Sequence, residues 1–329
     1  MSANSDPLLA AEAAETRGEL GVAITAYERL IRDADAGVAA EARFRLGRVA
    51  WRQGRYDDAL AHYAAAAVAA QALGLENLRA RVENGVGAVH YARGAYAQAR
   101  ASYGVARSLA AGDAALRGKV LLNLGVIANI EGDLDAARNA YRESGAAFAE
   151  AGDDAGRALV LHNLGMINAD LSMWDEAAEC YSECLRICEQ QGNRQMVANV
   201  LLNQSELHIA AGLFDVAVAH CDRAMIIYVE LGDEPGRGDA LRSRSRALRL
   251  AGRSDDAAAN AREALRIAEK LASRLLEAEA ARELGLIHRA VGEEVQAVTA
   301  LRRALALFTE LGATREVGEV QVEAEGTTA

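Results

Sequence analysis

Cys180, Cys184 and Cys188 recur every four residues, and His220 with Cys221 follows further along. Thiolates and an imidazole at helical spacing are the ligand types of a soft metal such as zinc. Upstream, Gly112 to Val120 (GDAALRGKV) has the Gly-Lys of a phosphate-cradling loop. Neither stretch completes its chemistry. The loop has one residue too many before Gly118-Lys119, ends in Val rather than Ser or Thr, and follows no strand. Gly85-Val86-Gly87 places His90 where a dinucleotide fingerprint needs its last glycine. Neither HExxH nor GxSxG occurs. Cys221 falls where other copies of an internal repeat carry tyrosine, so it reads as a small apolar core residue. No enzyme, metal site or cofactor is expected.

Asparagine and arginine rows suggest binding instead. Asn123, Asn163 and Asn203 hold equivalent positions in three consecutive repeats. An amide both donates and accepts, so such a row can hold a peptide main chain without reading its side chains. Arg242, Arg246 and Arg249 lie at i, i+4 and i+7, and Arg282 and Arg289 repeat two of those positions; Arg45, Arg48 and Arg52 with Trp51 do the same near the N-terminus. Guanidinium forks suit carboxylates or phosphates. The alternative is a solvated helix face on which the arginines pair with glutamates such as Glu279 and Glu283.

These rows are positioned by a repeated helical hairpin, shown most clearly by Gly152 to Gln191. Leu159, His162, Leu164, Gly165 and Ile167 fall at helical spacing, as do Ala177, Tyr181, Cys184 and Ile187. Small residues at Gly47, Gly87, Gly125, Gly165, Ser205, Ser245 and Gly285 are 40 residues apart in every step but one, which is 38. A second series, Ala59, Ala99, Ala137 and Ala177, precedes Tyr63, Tyr103, Tyr141 and Tyr181 by four residues. Small residues allow close helix approach, and the tyrosine fills the space beside them. Glycines at Gly54, Gly94, Gly132, Gly212, Gly252 and Gly292 mark the turns, and acidic residues then open second helices, as at Asp57-Asp58, Asp135 and Asp215.

At these residues the chain resembles the tetratricopeptide repeat family, through its Leu-Gly, turn glycine, alanine and aromatic positions. The longer unit with Gly-Asp at its joints is similar to the subgroup found in kinesin light chains, spindle adaptors and bacterial regulators. The resemblance implies an all-α, right-handed superhelical solenoid whose first helices line a groove, with eight hairpins over residues 7–313, a capping helix over 314–324, and disordered ends at 1–6 and 325–329. It also implies an adaptor that binds a protein or peptide partner as an extended, acidic segment, or alternatively a bacterial regulatory sensor whose superhelix pitch responds to ligand.

Composition agrees. A net charge of −11 and few aromatics disfavour nucleic acid. No run approaches the ~18 apolar residues of a membrane span, the start lacks a basic region before an apolar run, and four cysteines form no disulfide framework, so a cytoplasmic protein is expected.

Overall fold

A computed structural model describes residues 7–325, all of whose regular structure is helical. Of the ends expected to be disordered, 1–6 and 325–329, all but Glu325 lie outside the described residues. The chain forms two compact units, Met1–Ile167 and Asn168–Ala329. The first holds α1 (Pro7–Thr16), α2 (Leu20–Asp33), α3 (Ala36–Arg52), α4 (Tyr56–Ala72), α5 (Glu76–Ala92), α6 (Tyr96–Leu109), α7 (Ala114–Ile130) and α8 (Leu134–Ala151). The division falls inside α9 (Asp154–Asp170). The second unit continues with α10 (Trp174–Gln191), α11 (Arg194–Ala210), α12 (Phe214–Leu231), α13 (Glu234–Leu250), α14 (Ser254–Leu271), α15 (Arg274–Ala290), α16 (Glu294–Leu311) and α17 (Thr314–Glu325). These are eight sequential hairpins and a terminal helix. Each odd-numbered helix is the first of its hairpin, and within each unit first helices also touch one another, α3 with α5 and α13 with α15.

The turns follow from backbone sterics. The glycine between the two helices is left-handed at Gly54, Gly94, Gly132, Gly212, Gly252 and Gly292. Where the copy has no glycine, Ser172 takes φ 59° instead, and at the joint before α15 Ala272 takes φ 52°. The acidic pairs that open second helices lie inside the first turn, Asp57 and Asp58 in α4 for example, and cap no amide. They favour the helix dipole, and Asp58 also pairs with Arg55 at 2.7 Å and Asp57 with Arg93 at 2.6 Å. Side-chain caps sit at joints before first helices, where Asp113 accepts from Leu116 N at 2.9 Å, Asp153 from Gly156 N at 2.9 Å and Asp233 from Gly236 N at 2.9 Å, and at the start of the second helix α8, where Asp133 accepts from Ala136 N at 3.0 Å. The two-residue deletion shortens α6 to 14 residues, against 17 in α4.

The small and large series interlock as the repeat requires. A Cβ added to Gly47, Gly87 or Gly125 would lie 2.5–2.6 Å from the rings of Tyr63, Tyr103 and Tyr141. Leu301 takes the ring's place over Gly285, at 2.6 Å. Gly118, the glycine of the loop-like segment, is likewise a packing residue: it lies against Phe148, and its carbonyl accepts from Ser144 Oγ at 2.7 Å. At the C-terminal end Val320 is fully buried in the cluster that holds Leu301 and Phe308, so α17 covers α16. It runs one residue beyond its expected end at 324.

Candidate functional site

Each unit builds an ion-pair ladder along its first helices. In the first unit, Arg45 lies 2.7 Å from both Glu12 of α1 and Glu41 of its own helix. Arg48 and Arg52 reach Glu15 at 2.8 and 3.5 Å, and Tyr27 donates its hydroxyl to the same carboxylate at 2.9 Å. Burial, with the Glu15 carboxylate adding to it, raises the Tyr27 phenol well above its ordinary range. Arg81 of α5 forks onto Glu41 at 2.7 and 2.9 Å and lies over the Phe44 ring. Trp51 is partly buried against the core of α3, α4 and α5.

The second unit repeats one arrangement with a 40-residue period. Arg242 of α13 meets Glu279 of α15 at 3.3 Å, and Arg282 of α15 meets Glu319 of α17 at 2.9 Å. Arg249 meets Glu283 at 2.5 Å, and Arg289, its counterpart, donates to the Glu323 carbonyl and pairs with Glu294 at 3.2 Å. Arg282 also takes Glu323 at 2.5 Å. Arg246 lies 3.0 Å from Glu206 of α11.

Each arginine singled out from sequence is therefore already matched by carboxylates of this chain. The acidic ligand was expected from these cations; their pairing, with Arg242 on Glu279 and Arg249 on Glu283 as the alternative reading had it, removes that ground. Self-neutralised rows staple one repeat to the next.

The asparagines share first helices with the ladders, Asn84 with Arg81 on α5 and Asn203 with Glu206 on α11. In the first unit Asn123 donates from Nδ2 to Asn84 Oδ1 at 3.0 Å, an amide pair that sequence reasoning missed because Asn84 stands one position off the equivalent site. Asn163 Oδ1 is 3.4 Å from the His162 ring. Burial lowers the His162 pKa, and the Asn163 contact works against it. Lys119, on the same helix as Asn123, is exposed and forms no ion pair among the described residues. In the second unit Asn203 is half-buried on α11.

Two further residues went unnoticed in the sequence. Glu206 bridges toward Arg242 and Arg246, and accepts from Ser243 Oγ at 2.6 Å. Asp239 of α13 stands 40 residues before Glu279, at the same repeat position. Burial raises its pKa to about 6, Arg242 opposes the shift, and Glu279 and Asp233 add to it. Aligning the repeat copies would have exposed it, since Leu202 occupies the slot of Arg242 and Arg282.

Three of the four cysteines belong to the core. Cys184, Cys188 and Cys221 are buried, and burial pushes the thiols of Cys188 and Cys221 up, away from the thiolate a metal requires. Among the described residues no helix is long and apolar enough to cross a membrane.

Tetratricopeptide repeat models match residues 116–190 and 196–270, and a further tetratricopeptide repeat model matches 8–74. No curated protein sequence matches the chain. Among solved structures, it is similar to a signal-transduction ATPase with a tetratricopeptide repeat sensor from Pyrococcus horikoshii, with TM-score 0.75, 13% identity, and 96% of this chain and 50% of that one covered. It is similar to a Rap protein complexed with competence and sporulation factor, with TM-score 0.57, 12% identity, and 94% and 97% covered. A putative kinesin light chain from Podosopora anserina with nearly identical repeats aligns with TM-score 0.50, 17% identity, and 60% and 97% covered.

Proposed function

The chain belongs to the tetratricopeptide repeat family, and from that premise we propose that it is a non-catalytic adaptor whose first helices grip an extended segment of another protein by its main chain. The supporting observation is the amide pair of Asn84 and Asn123. Their mutual hydrogen bond fixes both side chains and leaves the Asn123 oxygen and the Asn84 amino group to accept from and donate to a ligand backbone. Tyr91, Ile130, Leu159 and Met166, exposed on the first helices of the same unit, offer apolar contact as well. Asn163 and Asn203 are proposed to act in the same way. The arginine rows hold neighbouring helices in place, and acidic side chains on the ligand are not required.

A second reading, a ligand-responsive sensor array, is favoured by likeness to the archaeal repeat sensor and to the factor-bound Rap protein. It uses the same face and differs in its consequence. Small-angle scattering separates the two, because a sensor changes its profile when peptide binds and an adaptor does not.

The binding itself is tested with peptides selected from a random dodecapeptide display library. Asn123→Ala should weaken different binders alike, by roughly fivefold for one net hydrogen bond of ~1 kcal/mol. Cross-links that map to the second helices would sink the proposal.

A further inference from the structure

Within the second unit, the period that sets the arginine ladder also shows where it fails. Glu279 and Glu319 occupy one repeat position, and each receives an arginine from the first helix before it, Arg242 and Arg282. Asp239 holds that same position one repeat earlier, where the donor slot is Leu202 rather than arginine. The second donor slot, that of Arg249 and Arg289, is filled there by buried Ile209. Asp239 consequently has no hydrogen bond or ion pair among the described residues.

Arg246 is matched by Glu206, Arg242 by Glu279 and Arg249 by Glu283, which leaves the Asp239 carboxylate as the unmatched charge on α13. Arg242, one turn along the same helix, eases the charge of Asp239 only through space. That half-buried guanidinium makes its ion pairs with Glu206 and Glu279. The other groups near Asp239 are not cationic: Tyr228 donates to Asn199 at 2.9 Å, and Asp233 accepts from Gln195 at 2.8 Å.

A half-buried carboxylate is costly to keep ionised without a partner. Every other rung of this ladder supplies a guanidinium from the protein, so the missing group is a cation from outside. We infer that Asp239 is the specificity-determining residue of the second unit and receives a lysine or arginine side chain of the bound polypeptide, completing the rung that Leu202 leaves open. The net charge of −11 favours such a partner at long range. This rests on the reading of the first helices as a peptide-binding face, and it assigns that peptide a basic residue.

The test uses the full chain and synthetic peptides taken from the dodecapeptide selection. Selected peptides should share one lysine or arginine, and replacing it by alanine should weaken binding to the wild type at least tenfold. Against Asp239→Asn, which is isosteric, the same replacement should have no effect. Leu202→Arg supplies the cation internally and should weaken the basic peptides at least tenfold while the thermal unfolding transition stays cooperative. Peptides that cross-link to first helices yet are indifferent to Asp239→Asn overturn this inference and leave the adaptor reading standing. Peptides that cross-link only to second helices, or a selection that yields none, overturn both.

Discussion

Gly125 lies so close beneath Tyr141 that a Cβ there would sit 2.5 Å from the ring, inside any real carbon contact. Tyr141 is itself fully buried, so the ring has little room to retreat. Gly125→Ala should therefore destabilise by about 1–3 kcal/mol through overpacking, outweighing the better helix propensity of alanine. Urea denaturation measures this. A variant as stable as the wild type would show that the ring moves freely.

The same contact explains what the sequence made legible. Small residue and tyrosine recur together because both are needed at each close approach, so the period that places Gly47 and Gly87 also yields hairpin boundaries and core. Side-chain partners did not follow from it. Arg242 and Arg282 could be placed on a helix face from spacing alone, but whether that face was open depended on Glu279 and Glu319, each a repeat away. Charged residues at one repeat position are ambiguous between ligand contact and inter-repeat staple until the neighbouring helix is in place. Asp239 was overlooked for the converse reason. Its significance lies in an absence, Leu202 in the slot of Arg242 and Arg282, which shows only when the repeat copies are aligned.

Ala272 adopts φ 52° at the end of α14, where the equivalent joints use Gly152, Gly192, Gly232 and Gly312. A left-handed residue with a Cβ costs roughly 1–2 kcal/mol, and glycine returns part of that gain through its freer unfolded chain. Ala272→Gly should stabilise by a net ~0.5 kcal/mol or slightly more. Thermal unfolding that shifts downward would show the strain to be absent.

Arg282 reaches both Glu319 and Glu323, so two carboxylates one helical turn apart pin α17 to α15. The pair is partly buried, and removing the guanidinium leaves both acids facing each other. Arg282→Ala should loosen α17 by on the order of 1–2 kcal/mol, seen as faster amide exchange from Val317 to Glu323 with α13 unaffected. Exchange that rises equally throughout the second unit would mean that α17 is not a separately opening element.

Asp239 gives a pH dependence whose sign opposes that of an ordinary paired carboxylate. Its pKa rises from 3.8 to about 6 on folding, first by burial and then by Glu279 and Asp233, with Arg242 opposing. Between these values the folded state holds a proton that the unfolded chain has released, so stability falls as pH rises from about 4 to 6 and stays reduced above it. A shift of roughly two pH units corresponds to a ceiling of about 3 kcal/mol, and partial contact with solvent lowers that to an expected 1–2 kcal/mol. Asp239→Asn removes the ionisation. The variant should be the more stable protein at pH 7.5, by that amount, and should match the wild type near pH 4, where both carry a neutral side chain at this position. Measuring both proteins in urea across that range isolates Asp239, because the other carboxylates titrate identically in the two. A variant less stable than the wild type at pH 7.5 would show that Asp239 is already paired in the folded protein. A gap that instead widens on acidification would mean that its pKa is lowered rather than raised.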